Sequence, residues 1–470
     1  MLALANTQKE SIENEKQALK RANDDLYADV GRNLERLSSV ELQLKETTRE
    51  RDEAIHYMAS FGDRERELHE RMMESDQVRR DLHAKVMQLM GNIRVFVRVR
   101  PLSNDELEEV ENDNSSSKGT RQKGMLGKEP TFRFPTIADR NNSNKGGPAD
   151  LTKKTIELVE PKKDRGGLKE RRTRHRFGFD NVFQQGHGQD DVWESTEPLI
   201  QSAIDGHNVT IFAYGQTGSG KTYTMLGEPG NEGIVTRSIK KMFIDKQRIE
   251  ALSKGKSQVQ IKVELLEIYN EQVFDLLSKD GPNSDRRTVK ICHANHTIEG
   301  NKVAVTSTEE ECMHLLELAQ SRRCVKATSS NAKSSRSHLV FTIHYVISED
   351  NSVKMEGKLN ICDLAGSERL SRSEAHYVGG ALLQETKNIN KSLSTLSNVI
   401  EQLQAGSKSV AFRESKLTSL LCDSLGGNSK TLAIVCCGPL TSQYHESLSS
   451  LRFAEKASNV QLKAASSFSC

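Results

Sequence analysis

The 470-residue chain has no run of about 18 or more apolar residues, the length a helix needs to cross a bilayer, so a helical membrane span is not expected. Met1–Glu10 lack the apolar core of a secretory signal. None of the eight cysteines falls in a Cys-x-x-Cys pair or shows His/Cys ligand spacing, which argues against a structural metal site. Several cysteines lie in apolar runs such as Ile434-Val435-Cys436-Cys437, the pattern of reduced core residues in a cytoplasmic or nuclear protein. Neither sign of charge prevails. With 28% charged residues and a formal net charge of +2, charge must act by location, and no nucleic-acid partner is expected. Residues 1–90 contain no proline, and their only glycines are Gly31 and Gly62.

What fills those first 90 residues is Glu, Lys, Arg and Gln around a heptad repeat. One position of the repeat carries Ile12, Leu19, Leu26, Val40, Phe61, Leu68, Leu82 and Leu89. The position three before it carries Val30, Leu37, Leu44, Met58, Met72 and Val86. A register held this long predicts a coiled-coil stalk over 1–90, about 135 Å long at about 1.5 Å per residue. Asn33, Thr47, Arg51, Glu65, Ser75 and Arg79 interrupt the seam, as in a weak coil whose polar positions specify register. A dimer follows, with an identical or a different partner chain. Because Met1 falls inside helical sequence, a longer stalk or tail is expected ahead of it.

The globular part is expected over 91–460. Gly91-Asn92 ends the helix, and Ile93–Pro101 alternates like a strand. Residues 103–172 are polar and read as long surface-loop insertions, interrupted by two strand-like pieces, Thr131–Phe134 and Thr155–Val159. From 173 to 460 strands and helices alternate, predicting a layered α/β domain with a central, mostly parallel sheet. Strands are predicted at Val209–Ala213, Gln258–Tyr269, Leu339–Ile347, Lys358–Cys362 and Thr431–Cys437. Residues 461–470 form a short polar tail.

Gly215-Gln216-Thr217-Gly218-Ser219-Gly220-Lys221-Thr222 follows the apolar run Val209–Ala213 and precedes a plausible helix start. This is the G-x-x-x-x-G-K-[ST] phosphate loop in its required context. Glycines let successive N–H groups turn toward phosphate oxygens at a helix N-terminus. Lys221 would reach the β- and γ-phosphates and Thr222 would hold Mg²⁺. Two further segments narrow the reading. Asn331–His338 clusters hydroxyls beside Arg336 just before a strand. Asp363-Leu364-Ala365-Gly366-Ser367-Glu368 follows a strand, where an aspartate that reaches Mg²⁺ through water belongs. The Gly366 N–H is expected free to approach a γ-phosphate.

The ordered set Arg98-Val99-Arg100-Pro101, Phe212-Ala213-Tyr214 with the phosphate loop, Leu266–Glu271, Ser335-Arg336 and Asp363–Glu368 resembles a kinesin motor domain. So do Asn388–Ser394, Ser415–Thr418 and Leu451–Ala454. The likeness covers about residues 92–460. Because the coil precedes the motor without a gap, the order resembles the kinesin-14 subfamily, whose motors lie C-terminally and walk toward microtubule minus ends. The resemblance implies a P-loop ATPase with ATP and Mg²⁺, stimulated by microtubules, in the cytoplasm on the cytoskeleton. It places Arg98, Arg100 and Pro101 around the adenine with Tyr223 stacked on it. It gives Mg²⁺ to Thr222, Ser335 and Asp363, and the γ-phosphate to Asn331, Ser334 and Gly366. Arg336 and Glu368 would form an ion pair that closes the site. Lys387, Lys391, Arg413 and Lys416 would face tubulin.

Two departures stand out: Ser419 replaces an arginine, removing one expected tubulin contact, and the stretch 371–380 is about three residues longer than usual. With no apolar segment after Val460, the N-terminal coil anchored at Gly91-Asn92 is the expected swinging arm. The competing reading is a nucleotide-gated microtubule crosslinker with little motility.

Overall fold

A computed structural model of the chain describes residues 2–89, 91, 93–103, 106, 132–135, 154–160, 173–253, 255–278, 287–292, 297–324, 335–350, 352–368, 380–407, 409–426 and 429–460. The chain divides into two compact units, Met1–Leu82 and His83–Cys470.

In the first unit, helix α1 (Leu2–Leu89, continuing into the second unit) is unbroken through Gly31 and Gly62. Its heptad residues face solvent: Ile12, Leu19, Leu26, Leu37, Leu44 and Leu68 are each more than half exposed. Such an apolar stripe on a lone helix has no core of its own to join. Exposed pairs one turn apart, such as Arg71 with Glu67 at 2.7 Å, decorate the flanks.

The second unit is built on an 11-stranded sheet. One half is parallel: β1 (Ile93–Val99) lies between β5 (Asn181–Phe183) and β16 (Lys430–Cys437). Then follow β6 (Asn208–Tyr214) and β15 (Ser352–Asp363). The other half is antiparallel, running from β15 through β14 (His338–Glu349) to β9 (Ser257–Tyr269) and β10 (Gln272–Asp275). It ends with β11 (Arg287–Cys292) and β12 (Thr297–Glu299). β13 (Ala304–Thr306) pairs with β9 off this path. The sheet is therefore mixed, a correction to the mostly parallel expectation. The reason is local: Asp350, at positive φ, ends β14 in a short turn that sends the chain straight back as β15, and the turn Asn270-Glu271 does the same between β9 and β10. Short connections can join only antiparallel neighbours. A small sheet of β2 (Phe132–Arg133), β3 (Thr155–Val159) and β4 (Arg174–Gly178) stands apart, as does the β7–β8 pair (Gly227–Glu228, Asn231–Glu232).

Helices cover both faces, so the central strands are buried on each side and read as near-continuous apolar runs. On one face lie α2 (Gln189–Ile204), α4 (Ile234–Leu252) and α5 (Glu309–Cys324), packed on Phe96, Ile211 and Ile434. On the other lie α6 (Gly380–Gln404), α7 (Lys416–Leu420), α8 (Cys422–Gly426) and α9 (Tyr444–Ser458), packed on Val97, Phe212 and Val435. Successive residues of β1, β6 and β16 thus alternate between two cores. Cys312, Cys362, Cys436 and Cys437 are buried free thiols, and burial pushes Cys362 up to about 12.

Candidate functional site

β6, an inner strand of the parallel half, ends at Tyr214, and α3 (Lys221–Met225) begins seven residues later. The loop between them sits at the carboxyl edge of the sheet, where open α/β folds bind ligands. Gly215 opens it at φ +145°, and a Cβ there would lie 2.2 Å from the Cys436 carbonyl oxygen of the neighbouring strand. Only glycine allows that approach. Lys221 is buried under the loop, its Nζ donating to the carbonyls of Gly215 (2.8 Å) and Gln216 (2.9 Å). Burial lowers its pKa, while Asp363 and Glu368 pull the other way. Thr217 and Gly218 are exposed at the loop's crest, Ser219 is buried and Gly220 caps α3.

β15 runs parallel to β6 and delivers Asp363 opposite Ala213. Asp363 Oδ2 accepts from the Thr222 hydroxyl at 2.9 Å and from Arg323 Nη1 at 3.2 Å. Arg323, at the end of α5, also donates Nε to Ser337 Oγ (3.0 Å) and Nη2 to the Ser337 carbonyl (2.7 Å). This buried ion pair fixes the aspartate against the loop. Asp363 Oδ1, Gln216 Oε1 and Ser219 Oγ are buried without a hydrogen-bond partner. Buried oxygens left so are costly, and their grouping around the loop marks a place for a polar ligand. Asp363, Thr222 and the nearby Ser335 offer only oxygens, the donor set that suits a hard divalent cation such as Mg²⁺. Among the described residues no group of three or more His, Cys, Asp or Glu could hold a metal alone, so such an ion would need ligands from phosphate and water.

Beyond Asp363 the chain is clipped to the segment before β14. The Gly366 N–H donates to the Ser335 carbonyl (2.8 Å) and the Ala365 N–H to His338 Nδ1 (3.0 Å). Gly366 is thus engaged, not free as expected: it sits where β15 and β14 emerge side by side, within reach of the Ser335 carbonyl. A Cβ on Gly366 would fall 2.3 Å from both Glu368 Oε2 and Thr217 Oγ1. Glu368 in turn accepts from the Thr217 N–H at 2.8 Å and its hydroxyl at 2.5 Å.

The expected Arg336–Glu368 pair is a further difference. Arg336 donates instead to Glu385 of α6 at 3.2 Å, because Glu368 is drawn onto the phosphate loop by two donors. Asn331 and Ser334, expected near the γ-phosphate, lie outside the described residues.

Of the adenine-side residues, Arg98 departs from expectation. It lies on the buried α2 face of β1, 5% exposed, donating to Gln189 Oε1 (2.8 Å) and Thr224 Oγ1 (2.9 Å), with its guanidinium over the Tyr223 ring. Burial is the main cause that lowers its pKa. It tethers α2 to α3 and does not present itself at the surface. Arg100 emerges one pleat later, donating to the Gly218 carbonyl (2.6 Å) and gripping Glu106 with both terminal nitrogens. That pair holds Glu106 down at about 2. Pro101 is exposed and Tyr223 half-exposed.

A second feature lies on the α6 face. Lys387 and Lys391, one turn apart, are exposed, while Ile389, Leu393 and Leu396 are buried on the opposite side. The 3₁₀ turn Phe412–Glu414, carrying exposed Arg413, and α7, carrying half-buried Lys416, pack against α6. Ser419 is 1% exposed, its hydroxyl donating to the carbonyls of Phe412 and Ser415. In this chain that position stitches the turn to α7. The stretch 371–379 lies outside the described residues.

Sequence reasoning missed Arg323, Gln189 and Glu385, and gave no role to His338 at the end of the Asn331–His338 cluster. Each meets its partner across many residues of chain, so no local pattern announces the contact. Only Arg323 carried a hint, a cationic residue in the last turn of α5, which reads equally well as an ordinary helix end.

A three-layer sheet with this loop after a central parallel strand, and an aspartate on the adjacent strand, defines the P-loop nucleotide-binding class. Within it, the kinesin motor domain model matches residues 98–460, and the chain belongs to the kinesin family. Kinesin-like protein KIN-14D of Arabidopsis thaliana is 37% identical over 446 residues, covering 90% of this chain and 50% of the relative. Kinesin-related protein 2 of Dictyostelium discoideum is 38% identical over 438 residues, covering 90% and 50%. Among solved structures, the C-terminal motor and motor homology domain of Kar3Vik1, fused to a synthetic heterodimeric coiled coil, aligns with TM-score 0.62 at 32% identity. It covers 94% of this chain and 99% of that one. A fast kinesin aligns with the same score and identity over 80% and 93%. The motor domain lies C-terminal in the chain, consistent with kinesin-14. The chain spans about half the length of the curated relatives it matches.

Proposed function

We propose that the chain is an ATP-driven microtubule motor whose ATPase is stimulated by the filament and which moves toward minus ends. The observation that carries the ATPase reading is the convergence of Lys221, Thr222, Asp363 and Gly366 at one sheet edge, with unpartnered buried oxygens among them. Gly215–Thr222 would cradle the phosphates, with Lys221 on the β- and γ-groups. Thr222, Ser335 and Asp363 would hold Mg²⁺, which when bound neutralises charge on the transferring phosphoryl group. Arg100, Pro101 and Tyr223 would frame the base, with Arg98 bracing Tyr223 from behind.

Phosphoryl transfer depends mainly on positioning and charge, so no strong base is needed. Closing requires Gly366 and Glu368 to leave Ser335 and Thr217. Glu368 would then meet Arg336, and Asn331 and Ser334 would cover the terminal phosphate. Loss of that phosphate would relax both segments.

Lys387, Lys391, Arg413 and Lys416 would bind acidic tubulin, placing the protein on cytoplasmic microtubules. The exposed heptad stripe would pair with a second helix over 1–90, from the same or a different chain. The motor unit, 91–460 with its 103–172 insertions, would swing that coil. Minus-end direction rests on domain order and on the likeness to KIN-14 relatives. Steady-state turnover of ATP with and without microtubules tests the reading: filament should raise kcat by at least about tenfold. No turnover in either condition would leave only a filament-gripping module, the crosslinker reading.

A further inference from the structure

His338 is 2% exposed, at the first position of β14, between the nucleotide edge of the sheet and α6. Its Nδ1 accepts from the Ala365 N–H at 3.0 Å. A backbone amide can only donate, so Nδ1 carries no proton and Nε2 does. Nε2 therefore donates to Ser392 Oγ, 2.9 Å away on α6, and that hydroxyl donates onward to the Ile389 carbonyl at 2.8 Å. Burial, with Arg323 and Lys221 nearby, pushes the imidazole down to about 3 and keeps it neutral. The result is a single polarised chain: Ala365 amide, His338, Ser392, Ile389 carbonyl. Ala365 adjoins Gly366, whose amide is itself clipped to Ser335, and Ser392 adjoins the exposed Lys391.

We propose that His338 and Ser392 act as positioning residues that carry engagement of α6 to the Leu364–Glu368 loop, and so set how strongly a filament accelerates ATP turnover. This rests on the motor reading above. The rigid imidazole spans the two segments, and both its nitrogens and the Ser392 hydroxyl are engaged along the chain. A shift of α6 that moves the Ser392 hydroxyl must therefore either move the Ala365 amide or leave a buried donor unsatisfied. Lys387 and Lys391 supply the force on α6 and His338 transmits it. His338 and Ser392 are both buried, each 2% exposed, beneath the exposed lysine face of α6.

The test uses the full chain, with ATPase titrated against microtubules. Ser392→Ala removes the hydroxyl and keeps helix and packing. Basal turnover should stay within about twofold, and the microtubule concentration at half-stimulation within about threefold, because the lysines remain. Stimulated kcat should fall about tenfold. Ser392→Thr, which restores a hydroxyl at the same place, should recover most of it. Two results overturn the proposal: stimulation of Ser392→Ala equal to wild type, or basal and stimulated rates falling in parallel, as a merely structural role predicts. Absence of stimulation in the wild-type chain overturns the motor reading and this proposal together, so the two failures are told apart.

Discussion

At the scale of single residues, the site is organised by close approach and by charges kept out of water. Arg323 and Asp363 are 4% and 2% exposed, and losing one partner of such a pair typically costs about 3–5 kcal/mol because the other charge stays buried. Their arrangement fixes Asp363 Oδ2 and leaves Oδ1 for a ligand. At Gly366 the missing side chain makes room for the ends of the Glu368 and Thr217 side chains. Substitution of Gly366 by alanine places a methyl group 2.3 Å from both Glu368 Oε2 and Thr217 Oγ1, so the Glu368–Thr217 contact must shift, and the added methyl would crowd the backbone proposed to approach the terminal phosphate. Gly366→Ala should lower kcat by about a hundredfold or more. Nucleotide affinity, which depends on the phosphate loop, should change by less than about tenfold. Single-turnover kinetics with a fluorescent nucleotide would separate the two. A variant that binds and hydrolyses like wild type would remove Gly366 from the mechanism.

Among the elements, α1 and α6 behave oppositely. α6 buries Ile389, Leu393, Leu396 and Ile400 on one face and exposes its lysines on the other. α1 leaves Leu19 (71%) and Leu26 (64%) in solvent, and burying such side chains in a seam is worth about 1.5–3 kcal/mol each. Sedimentation of the full chain should give a dimer, and Leu19→Asp with Leu26→Asp should weaken it markedly while leaving ATPase per chain within about twofold. A double variant as dimeric as wild type would move the dimer contact elsewhere.

The elements also show what was legible in sequence. β6, β9 and β16 fall within a residue or so of their predicted bounds, because buried β-branched runs between polar turns have few alternatives. The phosphate loop is a local pattern with a local geometry. Strand direction was not legible, since it turns on two short connections, at Asn270-Glu271 and at Asp350, and not on strand composition. Nor was the buried course of Arg98: whether a cationic residue at a strand end faces core or solvent depends on which neighbours, Gln189 and Thr224, the fold brings beneath it.

For the whole molecule, the proposal is that one nucleotide-sensing edge governs both grip and motion. The phosphate loop, the Asp363–Glu368 segment and α6 are joined by hydrogen bonds through Ser335, His338 and Ser392, so a change at one edge reaches the basic face without passing through the apolar cores. Arg336 bound to Glu385 supplies a second tie between the nucleotide side and α6. The most direct test is a gliding assay: the full chain fixed to a surface, polarity-marked microtubules and ATP. The account predicts sustained gliding with plus ends leading, halted when ATP is replaced by a non-hydrolysable analogue. Gliding with minus ends leading would contradict the assigned direction, and filaments that bind but stay still in ATP would contradict the motor itself.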